Sequence, residues 1–395
     1  MKTIAFYTLG CRSNQYETEF LKSRTAFEVV DFKEPADIYF INTCLVTLDA
    51  ERKSRQAIRR ALRQNPKAKV YVTGCYSELQ KEKLKELFGG KVILIDNRNK
   101  LDVKELIKDR VEIKFPGKVR AALKIQDGCD NFCAYCVVPY ARNSLSSKPL
   151  KEAVGEAKDM AAAGIKEIVL TGINLGLYEY DLNKIIDELS KIEGILRIRL
   201  SSIEPMYVTE KLVKTIAQNP KACDFLHIPL QTGDDALLKS MGRNYKSSDY
   251  LELVDLARKY IPDCGISTDI IVGLPGETES AFKNTLTTVK KANFSRVHIF
   301  PYSKRPGTKA AQMPDQVSEK EKKKRFKVLE HLRNEQMKAF TKKIFKHPQK
   351  ILIEQRDRKS GKLEGLTSNY IRCFTEGPDS RIGSFVTIKQ ERVDF

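Results

Sequence analysis

The chain has 395 residues, 41% hydrophobic and 31% charged, which is long enough for two or three domains with packed cores. Seventy Lys and Arg against 51 Asp and Glu give a formal charge of +19, which points to a polyanionic partner, nucleic acid foremost, because each neutralised phosphate releases counterions. No apolar run reaches the length of a bilayer span and the first residues lack a secretory pattern, so a cytoplasmic protein without membrane contact is expected; nine cysteines, an odd count, weigh against a disulfide framework and for metal or redox chemistry.

Residues 1–112 alternate apolar strand runs (Ile4–Leu9, Asp37–Ile41, Val70–Val72, Val92–Ile95) with helical patterns (Gln15–Phe27, Asp49–Arg63, Glu78–Leu87). This is the signature of a parallel α/β sheet. Cys11, Cys44 and Cys75 follow the first three strands in the frames TLGC, INTC and VTGC. Carboxyl ends of parallel strands share one sheet edge, so three thiols distant in sequence are expected to converge there on an iron–sulfur cluster with one open iron. A single such cysteine would read as a small buried hydrophobe. Arg52, Lys53, Arg55, Arg59, Arg60 and Arg63 make the second helix strongly basic, a candidate phosphate-contacting face or a solvated one.

Residues 113–347 repeat strand then helix. Six strand candidates (Ala121–Gln126, Glu167–Thr171, Arg197–Ser201, Phe225–Leu230, Gly265–Val272, Val297–Tyr302) predict a partial (β/α)6 barrel with its site at the strand carboxyl ends. After the first strand come Cys129, Cys133 and Cys136 at C-x3-C-x2-C spacing. Three soft thiolates so close can wrap one face of an iron–sulfur cube. No fourth ligand is offered nearby, so one iron stays open to a small molecule, whereas a closed zinc site would need that ligand.

This spacing resembles that of the radical S-adenosylmethionine (SAM) enzymes. The resemblance implies a [4Fe-4S] cluster at Cys129, Cys133 and Cys136 that chelates SAM and cleaves it to a deoxyadenosyl radical, making these the catalytic cysteines. On that reading Gly172 and Asn174 serve SAM's amino and carboxylate groups, Ser202 and Glu204 the ribose, and Gly273 the floor under the adenine. Tyr135 and Gln231 complete the cofactor-binding set.

Ser318–Lys350 is helical and basic, with twelve Lys or Arg against four Glu, and an apolar stripe through Phe326, Leu329, Leu332 and Met337. Residues 348–395 change to short β-runs separated by glycines (Lys350–Gln355, Lys362–Leu366, Tyr370–Phe374, Phe385–Gln390), predicting a small all-β barrel.

The segments TLGCRSNQYETE, INTCLVTLDAERKSRQAIRR, VTGCYSE, IIVGLPGET and FPYSKRPGT resemble the methylthiotransferases over essentially the whole chain. In residue terms the likeness falls on Cys11, Asn14, Asn42, Cys44, Gly74 and Cys75, and Gly365–Tyr370 is similar to the RNA-binding TRAM domain that ends most members. The CLVT segment is closest to the threonylcarbamoyladenosine tRNA (MtaB-like) type. This implies an auxiliary [4Fe-4S] cluster at Cys11, Cys44 and Cys75, two SAM molecules per turnover, tRNA as partner with Asn369 and Tyr370 among its contacts, and an electron donor and a sulfur source. The alternatives are a ribosomal-protein aspartate methylthiotransferase and a non-catalytic, metal-containing RNA-binding protein. One departure stands out: Asn143 replaces the glycine that usually follows an arginine after the cluster motif, and the later basic residues are reduced to Lys148.

Overall fold

A computed structural model describes residues 2–107 and 117–389. They form two compact units that do not follow the expected three-domain division. One unit gathers residues 1–115, 127–146 and 303–311; the other holds 116–126, 147–302 and 312–395. The cysteine loop after the first barrel strand therefore belongs to the same unit as the amino-terminal sheet. The C-terminal β-region belongs to the unit of the barrel strands.

In the first unit a five-stranded, wholly parallel sheet runs in the order Glu28–Val30, Thr3–Thr8, Ile38–Thr43, Lys69–Gly74, Ile93–Leu94. Every residue of the central strand Ile38–Thr43 is buried, as expected of a strand covered on both faces. Helices Arg12–Arg24 and Leu48–Gln64 follow the strands, and Thr47 caps the second by accepting from the Ala50 N–H. The first helix ends at Arg24, short of the predicted Phe27, because Thr25 turns the chain into an unpredicted edge strand at Glu28–Val30.

In the second unit the six predicted strands are present as Arg120–Lys124, Glu167–Thr171, Arg197–Leu200, Phe225–His227, Gly265–Val272 and Arg296–Pro301. They are parallel and form two hydrogen-bonded groups of three, linked by bridges from Ile198 to Ala222 and from Ser202 to His227. The long basic helix Glu319–Ile344 packs on this sheet, but its inward face is more polar than predicted. Lys322 donates to the Tyr302 carbonyl at 3.0 Å, Arg325 to the Glu277 carbonyl at 2.8 Å, and Gln336 to the Val289 carbonyl at 2.8 Å. Lys322 and Arg325 thus serve loop carbonyls, while Gln336 adds a second bond to a carbonyl that already accepts from the Asn293 N–H.

The C-terminal region is a four-stranded antiparallel sheet among the described residues, ordered Arg372–Thr375, Leu363–Thr367, Gln349–Arg356, Phe385–Ile388. Two buried arginines of the third barrel strand fasten it to the barrel. Arg197 donates to the carbonyls of Leu366 and Lys350, and Arg199 to those of Thr367 and Ser368. Among the described residues no helix is long and apolar enough to cross a membrane.

Candidate cluster and cofactor sites

Parallel registry brings the first three cysteines together. Thr8 pairs with Asn42 and Asn42 with Thr73, so the strands leading to Cys11, Cys44 and Cys75 end side by side. Cys44 and Cys75 are buried, while Cys11 is exposed at the start of its helix. Burial, with Cys75 and Cys11 nearby, pushes the Cys44 thiol up to about 11. Burial also raises Cys75, against the pull of the Arg142 and Lys100 charges.

The glycines of TLGC and VTGC have a steric reason. Gly10 (φ +95°) lies so close to Cys44 that a Cβ would sit 2.9 Å from its Sγ. At Gly74 (φ +97°) a Cβ would sit 2.2 Å from the Thr43 carbonyl oxygen. Ser54 pins the middle cysteine, accepting from the Cys44 N–H and donating to its carbonyl, each at 3.2 Å.

The second thiol set occupies a loop in the same unit. Gly128 (φ +82°) permits the entry turn, where a Cβ would lie 2.3 Å from the Ser144 carbonyl oxygen. Cys136 N–H donates to the Cys133 carbonyl at 2.9 Å, and Val138 N–H points at Cys136 Sγ at 3.4 Å, a donor suited to a thiolate. Cys133 is buried; Cys129, Cys136 and Tyr135 are partly exposed. Phe132 adopts a left-handed φ of 43° and stands edge-on to Tyr140.

A residue given no role from sequence closes this loop. Arg142 is buried, and its Nη1 donates to Asp127 at 2.7 Å and to Glu17 at 3.0 Å. Its Nη2 donates to Asn14 Oδ1 at 2.7 Å. Glu17 is further paired with buried Lys100 at 2.5 Å. The neighbouring Asn143 is exposed, accepts from Arg98 at 3.0 Å and is not among the positive-φ residues. A glycine is therefore not required at that position.

The expected SAM-binding residues, Tyr135 aside, lie past the carboxyl ends of barrel strands two to five. Gln126 organises the first turn, its Oε1 accepting from the N–H groups of Ile173 and Asn174 at 3.0 and 2.9 Å. The close approach that needs Gly172 is to this Gln126 side chain, 2.9 Å from a would-be Cβ. Asn174 is buried and Ser202 half-buried. Glu204 is 2.5 Å from the buried Arg243. Gln231 takes a left-handed φ of 71° and donates its N–H to the Asp269 carbonyl. At Gly273 a Cβ would strike the Lys322 stem at 2.3 Å. The long helix by itself therefore gives that glycine a steric reason. His227, given no role from sequence, hydrogen-bonds Ser267 at 2.7 Å through Nδ1 and stands 3.3 Å from Asp269 through Nε2; His298 lies on the next strand.

The expected RNA contacts divide. Arg52 and Lys53 are exposed but paired with Asp49 at 2.5 and 2.7 Å. Arg55 is turned inward, to Glu51 at 2.5 Å and the Tyr76 hydroxyl at 3.2 Å. Glu51 also binds Lys83 and Arg305. Arg59, Arg60 and Arg63 remain exposed. Asn369 is buried, accepting from the Thr367 hydroxyl, and Tyr370 packs on Phe225 and under the Arg199 guanidinium. Both serve the junction between C-terminal sheet and barrel. Cys223, Cys264 and Cys373, which fall in none of the sequence motifs, are buried thiols raised by burial to about 11, 12 and 12.

Residues 3–95 match the uncharacterized protein family UPF0004 and residues 123–289 the radical SAM superfamily. The threonylcarbamoyladenosine tRNA methylthiotransferase MtaB of Bacillus subtilis is 37% identical over 422 residues, covering 98% of this chain and 94% of the relative. Its Thermotoga maritima counterpart is 38% identical with the same coverage. The tRNA-2-methylthio-N(6)-dimethylallyladenosine synthase of Pelotomaculum thermopropionicum is 32% identical, covering 98% of this chain and 95% of the relative. Among solved structures, the radical SAM methyltransferase TsrM from Kitasatospora setae, with cobalamin and a [4Fe-4S] cluster bound, shares the fold. It aligns with a TM-score of 0.58 at 15% identity, over 78% of this chain and 77% of that one.

The cofactors that accompany these matches are two [4Fe-4S] clusters and SAM, and the residues present fit them. Each thiol set offers three ligands. Four buried polar atoms without hydrogen-bond partners, Ser13 Oγ, Asn42 Oδ1, Thr73 Oγ1 and Arg142 Nε, belong to residues beside the Cys11, Cys44 and Cys75 positions or bonded to their loops. With relatives 37% and 38% identical over 98% of its length, the chain belongs to the radical SAM tRNA methylthiotransferase family.

Proposed function

We propose that this protein replaces the C2 hydrogen of N6-threonylcarbamoyladenosine, beside the anticodon of tRNA, with a methylthio group. The observation that carries the reading is the pair of cysteine triads held in one compact unit. The choice of nucleoside rests on the relatives: threonylcarbamoyladenosine enzymes at 37–39% identity against 32–33% for the dimethylallyladenosine type.

The C2 hydrogen is bonded to an aromatic carbon and is not acidic, so no side-chain base is asked to remove it. When bound, the cluster at Cys129, Cys133 and Cys136 supplies the electron that cleaves SAM, and that at Cys11, Cys44 and Cys75 handles the sulfur. The chain's own part is orientation. Gln126 holds the Gly172–Asn174 turn for SAM's methionyl group, Arg243 fixes Glu204 toward the ribose, and Asn174 and Gln231 add buried amides. The reaction calls for an electron donor and a sulfur source as partners.

The test is expression of the chain in a bacterial strain lacking its own 2-methylthio-threonylcarbamoyladenosine, followed by nucleoside mass spectrometry of tRNA. The methylthio nucleoside should appear with the native chain and be absent with Cys133→Ala. An unchanged nucleoside profile with an expressed, iron-loaded chain would sink the tRNA assignment, and mass analysis of ribosomal proteins would follow.

A further inference from the structure

Arg142 offers five N–H donors from a buried guanidinium, and four of them face partners. Nη1 serves Glu17 and both oxygens of Asp127; Nη2 serves Asn14 Oδ1 and Glu17 Oε2. Nε is buried and has no partner. An orphaned donor on a charged group is costly inside a protein, so a site that keeps one calls for an acceptor of matching charge. Three thiolates with the sulfides of a cluster are such an acceptor.

The surroundings point the same way. Asn14, which Arg142 grips, donates to the carbonyls of Leu9 and Thr43, the residues leading into Gly10–Cys11 and Cys44. The thiol of Cys75 feels the Arg142 charge directly. The positive charges of Arg142 and Lys100 are matched by Glu17 and Asp127, so the quartet adds little net charge and acts through its direction. Asp127 and Arg142 also bracket Cys129–Cys136 in sequence, so one guanidinium ties the SAM-cluster loop to the helix that follows Cys11.

We propose that Arg142 is a positioning residue for the auxiliary cluster: it directs its Nε–H at the sulfur of the cluster held by Cys11, Cys44 and Cys75, and so stabilises that cluster's reduced, more negative state. Hydrogen bonds to cluster sulfurs raise the reduction potential. The inference rests on the cluster assignment made above.

The experiment is a redox titration followed by electron paramagnetic resonance on the full-length, iron-reconstituted chain, comparing it with Arg142→Lys and Arg142→Met. Signals of the two clusters are separated by adding SAM, which perturbs only the cluster that binds it, and by the Cys133→Ala chain. Arg142→Met should make the auxiliary cluster roughly tenfold harder to reduce, a fall of about 59 mV for one electron. Arg142→Lys keeps a charge but loses the planar fork and should fall between. An unshifted potential in an iron-replete variant overturns the proposal and leaves Arg142 a brace between loops. If Arg142→Met fails to fold, Arg142→Lys decides by the same shift. Absence of iron at Cys11, Cys44 and Cys75 in the native chain would instead sink the cluster assignment, a different failure.

Discussion

Gly10 and Gly74 show how tightly the auxiliary thiols are set by residues without chemistry of their own. Each has a positive φ, which costs an L-residue about 1–2 kcal/mol, and each has no room for a methyl group. At Gly10 the obstacle is the Cys44 thiol; at Gly74 it is the Thr43 backbone. Gly10→Ala should displace Cys44 and lower iron and acid-labile sulfide by roughly half, the share of one of two four-iron clusters, while the SAM-cluster signal stays. Gly74→Ala, striking backbone, should lose the same iron and also melt earlier. Full iron content in Gly10→Ala would show that the cluster tolerates a shifted thiol. The meeting of the strands that lead to Cys11, Cys44 and Cys75 was legible in the sequence because the strand-end position repeats. Arg142 was legible only as the arginine that precedes Asn143: its ion pair with Glu17 spans 125 residues, which no local motif reveals. Asn369 and Tyr370 sit in the turn between strands Leu363–Thr367 and Arg372–Thr375, and a motif carries residue identity but not that this turn packs on Phe225 and Arg199.

Elements were recovered more fully than contacts. The repeat of strand runs and helical patterns located all six barrel strands to within a few residues, and parallel connectivity then placed the loops. The short edge strand Glu28–Val30 was missed because three half-exposed residues carry no pattern. The polar inward face of Glu319–Ile344 was missed because Lys322 and Arg325 find carbonyl partners that sequence does not reveal. The same kind of partnership holds the C-terminal sheet to the barrel. Glu167 and Arg199, both buried, pair at 2.8 Å, and Arg199 reaches on to the carbonyls of Thr367 and Ser368. Burial alone would raise the Glu167 carboxyl, but the charges of Arg199, Arg120 and Arg197 outweigh it and hold it below the ordinary 4.5. A lowered carboxyl stabilises the fold above its unfolded value and loses that contribution as pH falls through its folded one. Glu167→Gln should therefore cost about 3–5 kcal/mol at neutral pH, since it leaves a buried guanidinium without its charge partner. The gap from the native chain should narrow once pH drops below 4.5. Urea midpoints of both chains at pH 7 and at acid pH would show this; a gap that does not change with pH would mean that shape, not charge, makes the pair.

At the scale of the whole molecule, the +19 charge matters only where it reaches solvent. Helix Leu48–Gln64 carries much of what the sequence offered as a phosphate-binding face, yet its side chains divide by partner. Arg55 is folded into the first unit through Glu51 and Tyr76, in a set where Glu51 also binds Lys83 and Arg305. Arg52 and Lys53 share Asp49, an exposed arrangement that a phosphate can displace at little cost. Arg63 lies three and four residues from the exposed Arg60 and Arg59, within reach of both on the helix surface. If that surface meets tRNA, each arginine lost removes a phosphate neutralisation and the counterion release that goes with it. The chain with Arg59, Arg60 and Arg63 all changed to Ala should then bind tRNA more weakly. Its plot of log affinity against log salt should be shallower by about 2–3, from 0.7–0.9 per contact. Arg55→Ala should leave that slope alone and lower the melting temperature instead, because it exposes buried Glu51 to a missing partner. Fluorescence anisotropy with labelled tRNA across a salt series, beside thermal melts of the same preparations, separates the two. A triple variant with the native slope would return this helix to solvent and move the RNA-binding charge elsewhere, with the exposed lysines of Glu319–Ile344 the next to be changed.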